Sequence, residues 1–385
     1  MTTLSGITWD HSRALPPLVA AAQRFEELNP GIRIRWEKRS LHEFGHMPID
    51  VLADRYDLIV IDHPWSGFCF ARDLVVDLYS LLPDERKKEL SGKFVGSTFR
   101  SYDYQGRLLA LPLDAATPTP SWRPDLLQKH GLQIPKTWND LVALADAGHL
   151  AMPGFNADLF LNWSMLLVAH QANPFSTEEV IADPGPATDA MERLKRLTEP
   201  MPEWIYDTNP IRMAERMTRA DEIVYCPFAY SYVNYCRPSF VDRPLRYGNL
   251  VSLEDDTPLR SILGGTGLAI TRSCLSREIA LDFAIYCVSG PVQDGVYLYA
   301  GGQPAHIQSW SRQVDAFNGN FFGSTRRSHE EAILRPRYDG YVPLQEIAGN
   351  HLQAYCKGEV EARNTLEKIN QAYRQSLPGG RLTTL

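Results

Sequence analysis

Between residues 6 and 61 the chain repeatedly switches its hydrophobic period, and that alternation limits its fold more than any bulk property. Gly6-Ile7-Thr8-Trp9 reads as a short strand, and residues 14–28 carry apolar side chains at helical spacing before the stop at Asn29-Pro30-Gly31. Ile32, Ile34 and Trp36 alternate with Arg33, Arg35 and Glu37, the period of a half-exposed strand. A helix is expected over 44–55. Asp57-Leu58-Ile59-Val60-Ile61 then forms an apolar run of the kind buried in a parallel sheet. Strand, helix, strand, helix, strand predicts a doubly wound α/β unit over the first 115 residues.

At 385 residues the chain is too long for one compact core, so two domains are expected. Hydrophobic residues make up 44% and charged residues 22%, an ordinary globular composition. The formal net charge of −7 argues against a nucleic-acid partner, and Arg326-Arg327 reads as solvated surface. No apolar run reaches the ~18 residues needed to span a bilayer. Six cysteines (Cys69, Cys226, Cys236, Cys274, Cys287, Cys356) show no CxxC and no regular spacing. They read as buried free thiols, which suits a reducing compartment, and none of the close-set pairs of a zinc site is present. Met1-Thr2-Thr3-Leu4 leads almost at once into the first strand, without a signal-peptide pattern. Two expectations follow: a periplasmic or extracellular protein whose signal was removed, or a cytoplasmic one starting at Met1.

Residues 116–260 read as a second, more helical region, with helices over 125–130, 139–147, 157–170, 187–197 and 211–219 and a strand over 222–226. Thr137 is placed to cap the helix after it. Residues 264–271 form a glycine turn and strand, followed by helices over 277–288 and 291–299. The C-terminal part is helical, broken at Gly340 and Gly358, with a last helix over 359–377.

Several segments resemble the extracellular solute-binding proteins of ABC sugar importers, the maltose-binding-protein-like family. GRLLALPLDAATPTPSWRPDLLQKHGLQIPKTWNDLVAL (106–144) is similar to the crossing between that family's lobes, and FEELNPGIRIRWE with YDLIVIDHPW to its opening units. Pro227-Phe228-Ala229-Tyr230 resembles the segment that sets aromatic rings over the ligand, and Gly301-Gly302-Gln303-Pro304 the return to the first lobe. The resemblance implies a type II periplasmic-binding-protein fold of two α/β lobes. Lobe one would be 1–115 plus 262–310, and lobe two 116–261 plus 311–385. It implies a monomer that closes on a small ligand in its cleft and delivers it to ABC permease subunits, with no cofactor.

In open α/β sheets ligands bind past the carboxyl ends of strands. Trp9, His11 and Arg13 follow the first strand, Asp62, His63 and Trp65 the third, and Asp114 lies at the crossing. Trp122, Phe228, Tyr230 and Tyr232 offer rings from the second region, and Gly265, Thr266 and Gly267 offer backbone amides. Trp163, on an apolar helix face, reads as core. Rings that stack on sugar faces, mixed with carboxylates and amides that meet hydroxyls, are what a carbohydrate needs. One departure from the family is Pro120-Ser121-Trp122-Arg123-Pro124, where a Tyr-Asn-Lys-type stretch is usual. Arg123 and Arg13, with His11 and His63, leave a sugar acid open as the ligand.

The alternative is a cytosolic enzyme or sensor on the same fold, acting on a polar or acidic metabolite. Thiaminase-type transferases of this fold use a cleft cysteine, but Ala115-Ala116-Thr117 supplies none. No GxSxG, HExxH or phosphate loop occurs.

Overall fold

The computed structural model describes residues 1–46, 49–253, 258–310 and 317–378. Among these the strands are β1 (Thr2–Trp9), β2 (Ile32–Arg39), β3 (Leu58–Ile61), β4 (Asp103–Tyr104), β5 (Arg107–Leu108), β6 (Leu111–Ala116), β7 (Pro118–Trp122), β8 (Tyr225–Tyr230), β9 (Arg246–Tyr247) and β10 (Gly264–Ile270). The described residues of Met1–Ala116, Leu263–Val314 and Arg337–Asp339 make one compact unit. Those of Thr117–Ile262, Asp315–Pro336 and Gly340–Leu385 make another.

In the first unit a five-stranded sheet runs in the order β2-β1-β3-β10-β6. β1 is parallel to β2 and β3, whereas β10 is antiparallel to both β3 and β6. All four residues of β3 are buried, as its unbroken apolar run requires for a central strand. The helix Leu15–Leu28 carries Pro16 and Pro17 in its first turn, where the missing N–H groups would have had no helical acceptor, and it buries Leu18, Ala21, Ala22 and Phe25. It ends where Asn29 turns its side-chain amide onto the Phe25 carbonyl (2.9 Å). Of the helix expected over 44–55, the described residues are helical in Leu41–His46 and Asp50–Ala53, and residues 47–48 lie outside the described residues. The helix expected over 291–299 is present, starting as Gly290–Val292, widening over Gln293–Tyr297 and running on to residue 299. Gly295 there leaves helical geometry (φ −116°, ψ −111°) and kinks the helix.

In the second unit β7 is the centre of a small antiparallel sheet ordered β8-β7-β9. The strand expected over 222–226 runs later, as Tyr225–Tyr230, and passes Pro227 at a register shift where a missing N–H is tolerated. The helix Trp138–Asp146 has the expected cap. Thr137 Oγ1 accepts the Asp140 N–H (3.2 Å) and the Asp140 carboxylate accepts the Thr137 N–H (2.9 Å). The helices Asn156–Ala169, Pro184–Thr198, Tyr341–Cys356 and Ala362–Ser376 pack together as this unit's core. Trp163 is fully buried there and donates to the Ala187 carbonyl (3.1 Å). All six cysteines are buried thiols.

Candidate functional site

The carboxyl ends of β1 and β3 and the pairing of β6 with β10 hold most of the expected residues of the first unit. Arg13, in the turn after β1, donates from Nε to the Asp114 carboxylate of β6 at 3.0 Å. The other Asp114 oxygen accepts the Thr266 N–H (2.7 Å) and hydroxyl (3.1 Å) from β10. Arg13 is 4% exposed and Asp114 not at all, so this is a buried ion pair. Burial pushes the Asp114 carboxyl upward, while Arg13 and Thr266 oppose that by favouring the charged form. Gly265 reaches φ +101°, and a Cβ there would meet the Asp114 carbonyl oxygen at 2.5 Å. Only glycine lets β10 come this close to β6.

His11 accepts the Arg13 N–H at Nδ1 (2.9 Å), which leaves its ring proton on Nε2. Burial first, and the Arg13 charge second, push its pKa down to about 3, so the imidazole is neutral at physiological pH. Trp9 is 2% exposed, between the Phe44 ring (4.9 Å between centroids) and the Arg13 guanidinium (5.7 Å). Its indole N–H and the Thr8 and Ser12 hydroxyls are buried with no hydrogen-bond partner among the described residues. Buried polar groups left so are costly and uncommon, and three of them gather at the end of β1.

Asp62 forms a separate group with the turn it caps. Its carboxylate accepts the His63 N–H (2.8 Å) at the head of the turn His63–Trp65. His63 is fully buried, and Trp65 (5% exposed) lies edge-on to Phe68 at 5.2 Å. Asp62 keeps partial exposure.

In the second unit Trp122 is half-buried and stacks on Tyr225 (6.2 Å, 12°). Phe228 is 1% exposed and stacks on Trp138 (6.1 Å, 21°). Tyr230, at the end of β8, stays partly exposed, and Tyr232 is buried. Arg123 is fully engaged within the unit: it donates to Asp125 (2.6 and 2.8 Å), Asp221 (3.0 Å) and the carbonyls of Met217 and Ala220.

Two residues were not anticipated. Asp158 and Asn162 lie four apart on the helix Asn156–Ala169. The Asp158 carboxyl has no hydrogen bond or ion pair among the described residues, and desolvation pushes its pKa up to about 8. Asn162 is 3% exposed and its Nδ2 is unpartnered among the described residues. Their signal in the sequence is two polar residues one helical turn apart in the largely apolar run DLFLNWSMLL.

No group of three or more His, Cys, Asp or Glu among the described residues could hold a metal ion. No helix among them is long and apolar enough to cross a membrane.

The architecture is that of the maltose-binding-protein-like solute-binding proteins. Residues 8–192 match the family described as bacterial extracellular solute-binding protein. MalE3 of T. maritima, solved with maltose bound, superimposes with a TM-score of 0.83 at 17% identity, covering 98% of this chain and 100% of that one. A solute-binding protein from Agrobacterium radiobacter in complex with ribitol gives 0.82 at 18% identity, covering 98% and 99%. One from Thermotoga lettingae bound with α-D-tagatose gives 0.79 at 16%, covering 97% and 100%. Likeness thus holds in sequence to that family over residues 8–192, and in fold to these solved proteins over nearly the whole chain.

Proposed function

We propose that the protein binds a small polar solute of the carbohydrate class and delivers it to the permease of an ABC importer, acting outside the cytoplasm as a monomer. The observation that carries this reading is the fold match over 98% of the chain to a maltose-bound and a ribitol-bound protein. The polar groups at the carboxyl ends of β1, β3 and β6 support it. On this reading the two compact units are the two lobes, and the partly exposed His11, Asp62, Trp122 and Tyr230 meet the ligand. Binding is favoured over thiol catalysis because burial pushes Cys69, Cys226 and Cys356 up to about 12, and a nucleophile needs the thiolate.

Thermal shift with maltose, ribitol and tagatose tests the reading, since a ligand at 100 times its Kd adds about 2.7 kcal/mol to native stability. No shift with any sugar or polyol of a wider panel would remove the carbohydrate assignment. Tyr230→Ala is expected to weaken binding of the best ligand by about 1–3 kcal/mol, the scale of a lost stacked ring. Calorimetry giving an unchanged Kd would take Tyr230 out of the site.

A further inference from the structure

In the second unit His130 ends the helix Pro124–His130, and His149 lies just past the helix Trp138–Asp146. Their rings stand 4.7 Å apart between centroids, tilted by 44°. Each helix stops at a glycine of positive φ, Gly131 (+64°) and Gly148 (+72°). The chain then folds back, with the Leu132 N–H on the Leu127 carbonyl (2.9 Å) and the His149 N–H on the Leu144 carbonyl (3.0 Å). Val224 anchors both ends. Its side chain packs with Leu126 and Leu127, its carbonyl accepts the Arg123 N–H (3.0 Å), and its own N–H donates to the His149 carbonyl (3.0 Å). The two histidine backbones are thereby fixed relative to each other. His130 is exposed and His149 partly so, and neither imidazole has a hydrogen bond or ion pair with another described residue.

We propose that His130 and His149 chelate a divalent transition-metal cation of the imidazole-preferring class (Zn²⁺, Ni²⁺ or Cu²⁺), with water completing its coordination shell. This goes beyond the carbohydrate reading and does not depend on it. The spacing fits. An ion about 2.1 Å from a nitrogen of each ring stands about 3.2 Å from each centroid, so ligand angles of about 90° to 109° hold the centroids about 4.5–5.2 Å apart. The observed 4.7 Å lies inside that interval. The donors decide the class of ion. Mg²⁺ and Ca²⁺ are held by oxygen ligands, carboxylates above all. The acidic side chains of these two helices are engaged elsewhere: Asp125 by Arg123, Asp140 by the Lys136 and Thr137 N–H groups, and Asp146 by Arg196. Two imidazoles without a carboxylate suit zinc, nickel and copper. Holding both ligands on anchored backbone lowers the ordering cost of chelation, and the carbonyl end of a helix favours a cation.

Calorimetry on the full chain at pH 7.5, with Zn²⁺ as the probe, tests the site. The six thiols are buried and do not compete in the folded protein. The parent is expected to take up Zn²⁺, and His130→Gln and His149→Gln are each expected to weaken that binding at least tenfold. His351→Gln, on the helix Tyr341–Cys356, is the control and should leave it unchanged. A tenfold excess of Mg²⁺ or Ca²⁺ should not displace the zinc. No zinc uptake, or a Kd that either of the two variants moves less than threefold, overturns the site. Displacement by Mg²⁺ or Ca²⁺ overturns the class of ion and, with it, the imidazole chelate. The carbohydrate reading is scored separately, by the sugar and polyol titrations.

Discussion

Arg13→Met is expected to lower the unfolding free energy by about 3–5 kcal/mol at pH 8, the cost of leaving a buried charge without its partner. Asp114 is completely buried, and without Arg13 it retains only the Thr266 N–H and hydroxyl. Its folded pKa is already raised by burial, and losing the guanidinium raises it further. An acid whose folded pKa exceeds its unfolded one binds more protons when folded, so stability falls as pH rises between the two values. The variant's deficit is therefore expected to shrink as pH falls from 8 toward 5. The double variant Arg13→Met with Asp114→Leu removes both charges and should recover most of the loss. Urea unfolding of the parent, both single variants and the double variant measures the coupling. An Arg13→Met loss below about 1 kcal/mol, the scale of an exposed pair, would show that the pair is not buried in solution.

Gly349→Ala is the second large effect, with an expected loss of about 3 kcal/mol from overpacking. A Cβ at Gly349 would sit 2.3 Å from the Asn156 carbonyl oxygen and 2.5 Å from its carbon, both backbone atoms that cannot rotate away. The helix Tyr341–Cys356 would have to move off the start of the helix that bears Asp158 and Asn162. Alanine's better helix propensity returns only about 1 kcal/mol. Gly185→Ala is the control: nothing lies within 4 Å of its Cβ position and it sits in a helix, so it should be neutral or stabilising by up to about 1 kcal/mol. Equal melting temperatures for Gly349→Ala and the parent protein would contradict the close helix crossing.

Much of the first unit was legible because its signals are local. The unbroken apolar run of β3, the Asn29-Pro30-Gly31 stop and the Thr137–Asp140 cap of the second unit each act over a few residues. The misreadings were local too: the strand read over 222–226 stands at Tyr225–Tyr230, and the helix read over 291–299 is present but kinked at Gly295. Strand ends also located Trp9, His11, Asp62 and His63, since a strand's carboxyl end is visible in its own pattern. What surrounds those side chains was not visible.

The sequence by itself determined the α/β class, the alternating order of elements as far as β3 and the segments that stand at the ends of β1 and β3, because hydrophobic period and capping chemistry are short-range. β7 and β9 had no such local signal. Only the tertiary structure decided which charges are compensated. Arg13 meets Asp114 across 101 positions, Arg123 meets Asp221 across 98, and Asp158 meets no cation among the described residues. Charge state follows from burial and from neighbours in space, and neither is written in the spacing of residues along the chain.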